Sequence, residues 1–474
     1  MRFNNKGILR LLGKAFTAFG IIMVLPLSAA VVFHETHVLL SLAFPSLLSL
    51  FTGIFLLAAT PKSVPHLRIR DGFLFITALW ISLSFMGGLP FLLSGSLNFI
   101  DSFFEGVAAF TTTGTTLTSH IPLSLVFLRA LLSFTGGLSI ILFGSVFLPQ
   151  LKIGGQHILQ LSSTGSVSEK TATSIKDQGH VFISIYMLFT FFEALLLKLQ
   201  GLSWFNCLVC SMGTVSTGGI NFQEGFLVLP NNFSKVIIPL FMVLSSLNYT
   251  LYFSTLRAGI KSFFQDEEIR FYLSLILLSI VFTGLVLYCR GFYSLKEAFL
   301  HSFFFAASFS STTGYFLEEY SLWPTFAAFL LLILMLIGAS SGSPGGGMKA
   351  VRILVVMRFI RRGLITRLHP NAVCTVRLSD KTLLSDVVTS VTSFCLLFMA
   401  FVFFGCLVYS ASGYNLVSSL NLSVAFLSNT GAGYMHFPPL PSFLKLFSAL
   451  MMIAGRLELF AFLLLMSPRF YRGL

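Results

Sequence analysis

Charge is scarce in this chain. Asp, Glu, Lys and Arg make up 10% of its 474 residues, against about 25% in a soluble domain. Acids are the scarcer sign, 17 against 30 Lys and Arg. The nine histidines form no H-x-x-H or H-E-x-x-H spacing, and no Ser/His/Asp set falls at one depth, so neither a metal cluster nor a hydrolytic site is expected. The six cysteines are scattered. Cys207 and Cys210 form a C-x-x-C inside an apolar run with no second pair, which reads as small buried hydrophobes rather than zinc or redox chemistry. These absences exclude a water-soluble enzyme, a nucleic-acid binder and a disordered chain. What is present is apolar: 55% hydrophobic residues, 55 of them Phe, and a mean hydropathy of +0.88. The composition is that of an integral membrane protein with little mass outside the bilayer, and not of an enzyme.

A spanning helix needs about 20 apolar residues. Runs of that kind occur at 15–33, 38–59, 72–94, 122–148, 179–199, 233–256, 271–289, 322–360, 382–409 and 441–467. The first lacks a small-residue cleavage site and reads as a span, not a signal peptide. Ten spans put both termini on one side. Of the 30 Lys and Arg residues, 22 then fall on the side of the termini, six on the other, and Lys349 and Arg456 inside spans. The basic side is cytoplasmic by the positive-inside rule. The net charge of +13 is therefore a topology signal, and no nucleic-acid partner is expected.

Between the spans lie four apolar segments too short to cross, each ending in a polar Thr/Gly cluster. They run to Thr111-Thr112-Thr113-Gly114, Ser216-Thr217-Gly218-Gly219, Ser311-Thr312-Thr313-Gly314 and Ser428-Asn429-Thr430-Gly431. Gly114, Gly218, Gly314 and Gly431 are separated by 104, 96 and 117 residues. That spacing fits two spans flanking one re-entrant helix. Ser102 with Glu105 and Ser294 with Glu297 have capping-box spacing, and Ser203 and Asn415 are candidate N-caps. The glycine is expected to end each short helix. Non-helical backbone at membrane depth is tolerated only where protein buries it or water reaches it. Four such loops, all on the outer side, would converge on one axis and present rings of carbonyls to a cation.

On these residues the chain resembles the large membrane subunit of bacterial Trk-type potassium uptake systems, in the Trk/Ktr/HKT superfamily. The resemblance also rests on Ser341-Gly342-Ser343-Pro344-Gly345-Gly346-Gly347-Met348-Lys349 and Gly455-Arg456-Leu457-Glu458-Leu459-Phe460. It implies an all-α polytopic membrane protein with four pseudo-fourfold membrane–pore-loop–membrane repeats around a central ion pore, plus two N-terminal transmembrane helices. The corresponding segments are 1–62 for the two helices, then 63–150, 151–260, 261–365 and 366–474 for the repeats. The resemblance implies potassium as the transported ion and one filter glycine per repeat: Gly114, Gly218, Gly314 and Gly431. The filter set is Thr112, Thr113, Gly114, Ser216, Thr217, Gly218, Thr312, Thr313, Gly314, Asn429, Thr430 and Gly431, with potassium held at its Thr, Ser and Asn members. No covalent cofactor is expected. A homodimer in the bacterial inner membrane, among membrane lipids, and a separate cytosolic nucleotide-binding regulatory subunit are also implied. The chain departs from the pattern in the fourth loop, Asn429-Thr430-Gly431-Ala432-Gly433, and at Pro344.

The eighth span is too long for a simple crossing and is interrupted by Ser340, Ser341, Gly342, Ser343, Pro344, Gly345, Gly346 and Gly347. Each Gly costs a helix about 1 kcal/mol and Pro about 3 kcal/mol relative to Ala. The interruption is expected to be an intramembrane gate loop beneath the filter, with a packing kink as the alternative. It is not a Walker A loop, since Met348 separates Lys349 from the last glycine. The cytoplasmic connections 149–178 and 361–381 carry no Rossmann or P-loop signature either. Lys349 and Arg456, near mid-span, are expected to face the permeation path, with Arg456 donating to loop carbonyls. Asp101 and Glu105 could concentrate cations at the outer mouth or complement the N-terminal end of a pore helix. Asn248 and Tyr249 read as polar packing on the inner cavity. The competing classes are a secondary transporter with discontinuous helices and a membrane enzyme acting on lipid-linked substrates. Opposite repeat topology would mark the first and a surface cluster of titratable residues the second; neither pattern is present in the sequence.

Overall fold

The structure is a computed structural model, and it describes residues 3–62, 68–117, 121–143, 175–220, 227, 229, 231–371, 374–379, 381–431 and 440–471. The connection 149–174, Ala432 and Gly433 lie outside the described residues. Among the described residues, apart from a two-stranded antiparallel ribbon, β1 (Arg377–Leu378) with β2 (Lys381–Thr382), every element is helical.

The N-terminal hairpin consists of α1 (Asn5–Ile22), its continuation α2 (Val24–Val32), and α3 (Thr36–Ala59). Gly13 and Gly20 on α1 face Gly53 and Leu50 on α3, close enough that a Cβ would collide. Glu35, in the turn between α2 and α3, accepts the N–H groups of Leu123 (2.7 Å) and Ser124 (3.0 Å). It thereby ties the hairpin to the exposed donors at the start of α6 (Leu123–Leu142).

Four units follow, each a short helix packed between two longer elements. The first is α4 (Ile69–Leu93), α5 (Phe99–Phe110) and α6; the second is α7 (Ile175–Leu199), α8 (Trp204–Val215) and α9 (Ser234–Ser245), continued by α10 (Tyr249–Ala258). After the connecting α11 (Ile260–Gln265), the third is α12 (Glu267–Cys289), α13 (Leu295–Ser310) and α14 (Thr325–Ile337), continued by α15 (Ala350–Leu368). The fourth is α16 (Ser385–Ala411), α17 (Leu416–Leu427) and α18 (Ser442–Arg456), continued by α19 (Leu459–Met466) and the terminal α20 (Pro468–Tyr471). The outgoing helix of each unit packs on the short helix of the next: α6 on α8, α9 on α13, α14 on α17, and α18 on α5. The units therefore close on themselves.

The solvent pattern of a soluble protein is inverted. Leu40 (79% exposed) and Leu396 (73%) stand out on the periphery, as lipid-facing residues do, while the centre holds buried Thr, Ser and Asn. Among the described residues seven helices are long and apolar enough to cross a membrane, or nine if each bent pair is one span. The expected eighth span, 322–360, is divided between α14 and α15.

The sixth and tenth runs, expected as spans, are also broken. α9 and α10 meet at 86°, and α18 and α19 at 114°. Neither break is made by proline: Pro239 lies inside α9 and is accommodated there. Asn248 starts the new helix by accepting the Thr250 N–H at 2.9 Å, and Glu458 turns the other break at φ 56°.

A ring of four loops and the loop beneath it

All four short helices begin on a polar cap. Ser203, Ser294 and Asn415 accept the N–H of the third residue on, at 3.2, 3.5 and 2.8 Å. The first cap is Asn98, which accepts the Asp101 N–H at 2.9 Å; the Ser102/Glu105 box does not form. Starting the helix four residues earlier frees Glu105 to turn inward. There it is wholly buried, pairs with Arg129 at 2.5 Å and accepts the Leu117 N–H at 3.1 Å. It is therefore not a cation collector at the outer mouth. Asp101 sits in the first turn and pairs with Lys445 at 2.5 Å, joining the first and fourth units.

The four helices end alike, though not on their glycines. The left-handed residue is Thr112 (φ 55°), Thr217 (55°), Thr312 (60°) and Asn429 (56°). A β-branched residue there is strained, at about 1–2 kcal/mol each, whereas Asn tolerates the conformation. The following N–H reaches back to the last turn in every loop: Thr113 to Ala108, Gly218 to Gly213, Thr313 to Ser308 and Thr430 to Ala425. This register aligns Gly218 with Thr113, Thr313 and Thr430. The partner of Gly114, Gly314 and Gly431 is then Gly219, one residue beyond the glycine singled out from sequence, and Ser216 aligns with Thr111. Gly114, Gly314 and Gly431 have φ of 72°, 74° and 82°; Gly219 is not left-handed and instead donates its N–H to the Thr313 carbonyl at 2.7 Å. In three loops a hydroxyl pair stiffens the turn, Thr111–Thr113 (2.8 Å), Ser311–Thr313 (2.7 Å) and Ser428–Thr430 (2.8 Å). Gly218 has no hydroxyl to complete such a pair in the second.

The loops meet in a closed ring. A Cβ at Gly114 would run into the Gly219 carbonyl, one at Gly219 into Thr313, one at Gly314 into Thr430, and one at Gly431 into Thr113. Asn429 Nδ2 closes the fourth loop onto the first by donating to Thr113 Oγ1 at 3.0 Å.

Residues 338–349 lie directly against this ring. Gly346 donates its N–H to Thr312 Oγ1 at 2.7 Å, and a Cβ there would strike the Ser428 carbonyl. Ser340 N–H donates to the Ser246 carbonyl (3.1 Å) and Tyr249 N–H to the Gly342 carbonyl (3.3 Å). The break between α9 and α10 thus exchanges backbone hydrogen bonds with the loop, which accounts for Asn248 and Tyr249 lying beside it. Arg456 ends α18 at its break, not in mid-helix. It donates to the carbonyls of Thr111 and Pro344 and to Thr112 Oγ1. Lys349 donates to the carbonyls of Ser343 and Gly345. Glu458, two residues from Arg456, pairs instead with Arg352 at 2.5 Å.

Outside the ring, Glu318 Oε1 lies 2.7 Å from His301 Nδ1, tying the third loop back to α13. Burial pushes the Glu318 carboxyl up, but hydrogen bonds from His301 and Tyr293 outweigh it and hold the group below the usual carboxylate range.

A peripheral ring of lipid-facing helices around buried, strained polar loops defines a polytopic membrane transporter. A family model described as cation transport protein, TrkH, matches residues 46–470. The Trk system potassium uptake protein TrkG of Escherichia coli K12 is 32% identical over 426 residues, covering 87% of this chain and 88% of that protein. TrkH of Halomonas elongata is 29% identical over 479 residues, covering 98% and 99%. The crystal structure of the potassium transporter TrkH from Vibrio parahaemolyticus superposes with a TM-score of 0.89 at 27% identity, covering 99% of this chain and all of that one. The chain belongs to the TrkH family of cation transport proteins.

Proposed function

We propose that the chain is the potassium-translocating membrane subunit of a Trk-type uptake system in the bacterial inner membrane, with both termini cytoplasmic. Segment 1–62 is an N-terminal hairpin, and 63–150, 151–260, 261–365 and 366–474 are four equivalent units whose loops enclose the ion path. Potassium sheds its water against the carbonyls of Thr112, Thr113 and Gly114 and of their partners in the other units, with Gly219 in place of Gly218. The closed cycle of contacts from Gly114 through Gly219, Gly314 and Gly431 carries this reading. Residues 340–347 gate the path from below, and the positive charges of Lys349 and Arg456 raise the barrier to a following cation. Two copies associate, and a separate cytosolic nucleotide-binding protein regulates them through the basic cytoplasmic face.

The test is flux into liposomes holding the purified chain, with potassium, rubidium, sodium and lithium compared. Potassium and rubidium should pass well ahead of sodium and lithium. Equal flux for all four ions would remove the filter reading.

A further inference from the structure

Three consecutive acids open α12, and they do three different things. Asp266 caps the helix by accepting the Ile269 N–H at 3.0 Å. Glu267 turns outward to Arg358 (2.8 Å) and the Ser379 N–H (2.9 Å), holding the ribbon that follows α15. Those two already complement the positive end of the helix. Glu268 turns inward, is 1% exposed, and accepts the Ser341 N–H at 2.6 Å. Its other neighbours are Asp266, the Ser340 side chain and the Lys349 amine. One turn on, the Tyr272 hydroxyl joins Ser246 Oγ (2.8 Å) and Ser310 Oγ (3.3 Å), and the Ser246 carbonyl takes the Ser340 N–H.

We propose that Glu268 is the latch that holds the 340–347 loop shut. The inference rests on the reading of that loop as a gate. An irregular loop at membrane depth has backbone donors and acceptors that need partners. On the second limb the carbonyls of Ser343, Pro344 and Gly345 are taken by two cations, Lys349 and Arg456. On the first limb the Ser341 donor is taken by a carboxyl oxygen, Glu268 Oε1. A ligand biases a two-state element only through a difference in its interactions with the two states, and a fixed side chain obeys the same rule. If the loop swings off the ring, Ser341 leaves and the buried Glu268 carboxyl oxygen is left without its donor. That state is costly. The carboxyl group therefore favours the closed loop, and it does so without touching the ion.

The experiment is potassium flux through the full-length protein in liposomes. Glu268→Ala should raise flux at least tenfold while leaving the potassium-to-sodium ratio unchanged. Glu268→Gln keeps an oxygen facing Ser341 and should restore most of the closure. Ser341→Pro deletes the same N–H from the loop side; it should match Glu268→Ala, and the double variant should go no further than either alone. A deletion of residues 343–345 reports on the gate itself. If the deletion raises flux and neither Glu268→Ala nor Ser341→Pro does, the latch is wrong and the gate stands. If the deletion leaves flux unchanged, the gate reading fails and takes the latch with it. A purely structural Glu268 would lower the yield of folded protein and lower flux, the opposite sign. Should Glu268→Ala fail to insert, Ser341→Pro and Glu268→Gln decide alone.

Discussion

Arg456 links the Thr111 carbonyl at the end of the first short helix to the Pro344 carbonyl of the loop in the third unit. One side chain, placed by the break between α18 and α19, spans the fourth, first and third units. Among the described residues no acid pairs with it: Glu458 is held by Arg352. A guanidinium suits this position because its five donors can serve two carbonyls and a hydroxyl at once.

Replacing it should release both constraints. Arg456→Gln is expected to raise potassium flux in liposomes about tenfold, the equivalent of lowering a barrier by about 1.4 kcal/mol. Arg456→Lys should fall between the two, since an ammonium keeps the charge but not the planar fork. Radioactive rubidium uptake provides the measurement.

The register of the second loop gives a sharper test. A Cβ at Gly219 would come within 2.4 Å of the Thr313 carbonyl oxygen, whereas one at Gly218 would meet Thr112 Cα and Cβ at 3.0 Å and Ser133 Cβ at 3.1 Å. Gly219→Ala should abolish growth of a potassium-uptake-deficient bacterium on limiting potassium, as Gly114→Ala should. Gly218→Ala should retain partial rescue. The reverse order would mean that the backbone alignment is wrong.

Glu105 on the first short helix pairs with Arg129 and also accepts the Leu117 N–H. Glu105→Gln leaves the Arg129 charge buried without its counter-ion, so the loss should be about 3–5 kcal/mol. The double change Glu105→Leu with Arg129→Met should recover most of it. Thermal unfolding in detergent compares the two.

Acid should loosen the third loop. The Glu318 carboxyl is held below its unfolded value of about 4.3, so its contribution is fully present above that pH and disappears as pH falls through the lower folded value. Glu318→Gln should cost about 1–2 kcal/mol near neutrality. The gap between variant and parent, read as melting temperature, should close as pH drops below about 4.

Much of this fold is legible in the sequence because the signals are local. Hydropathy locates the outer helices, and the Thr/Gly clusters locate all four loops. Ser203, Ser294 and Asn415 are correct caps because the short helices start where the polar residue stands. The errors share a physical origin. Asn98 displaces Ser102 because either could cap, and the buried Arg129 claims Glu105. Two adjacent glycines, Gly218 and Gly219, satisfy the motif equally until the backbone angles separate them. The breaks at 246–248 and 457–458 carry no proline, and no local rule announces them. The first is stabilised by backbone partners more than ninety residues away, Ser340 and Gly342, and the second by the reach of Arg352 to Glu458.

Each turn in the ring leans on its neighbour, and the last leans on the first. A nascent chain that has inserted three units still lacks the Asn429 contact that closes the circle onto Thr113. The circle of contacts is thereby incomplete until the fourth unit has joined the other three, so the order of the units along the chain fixes the step at which the ring can close.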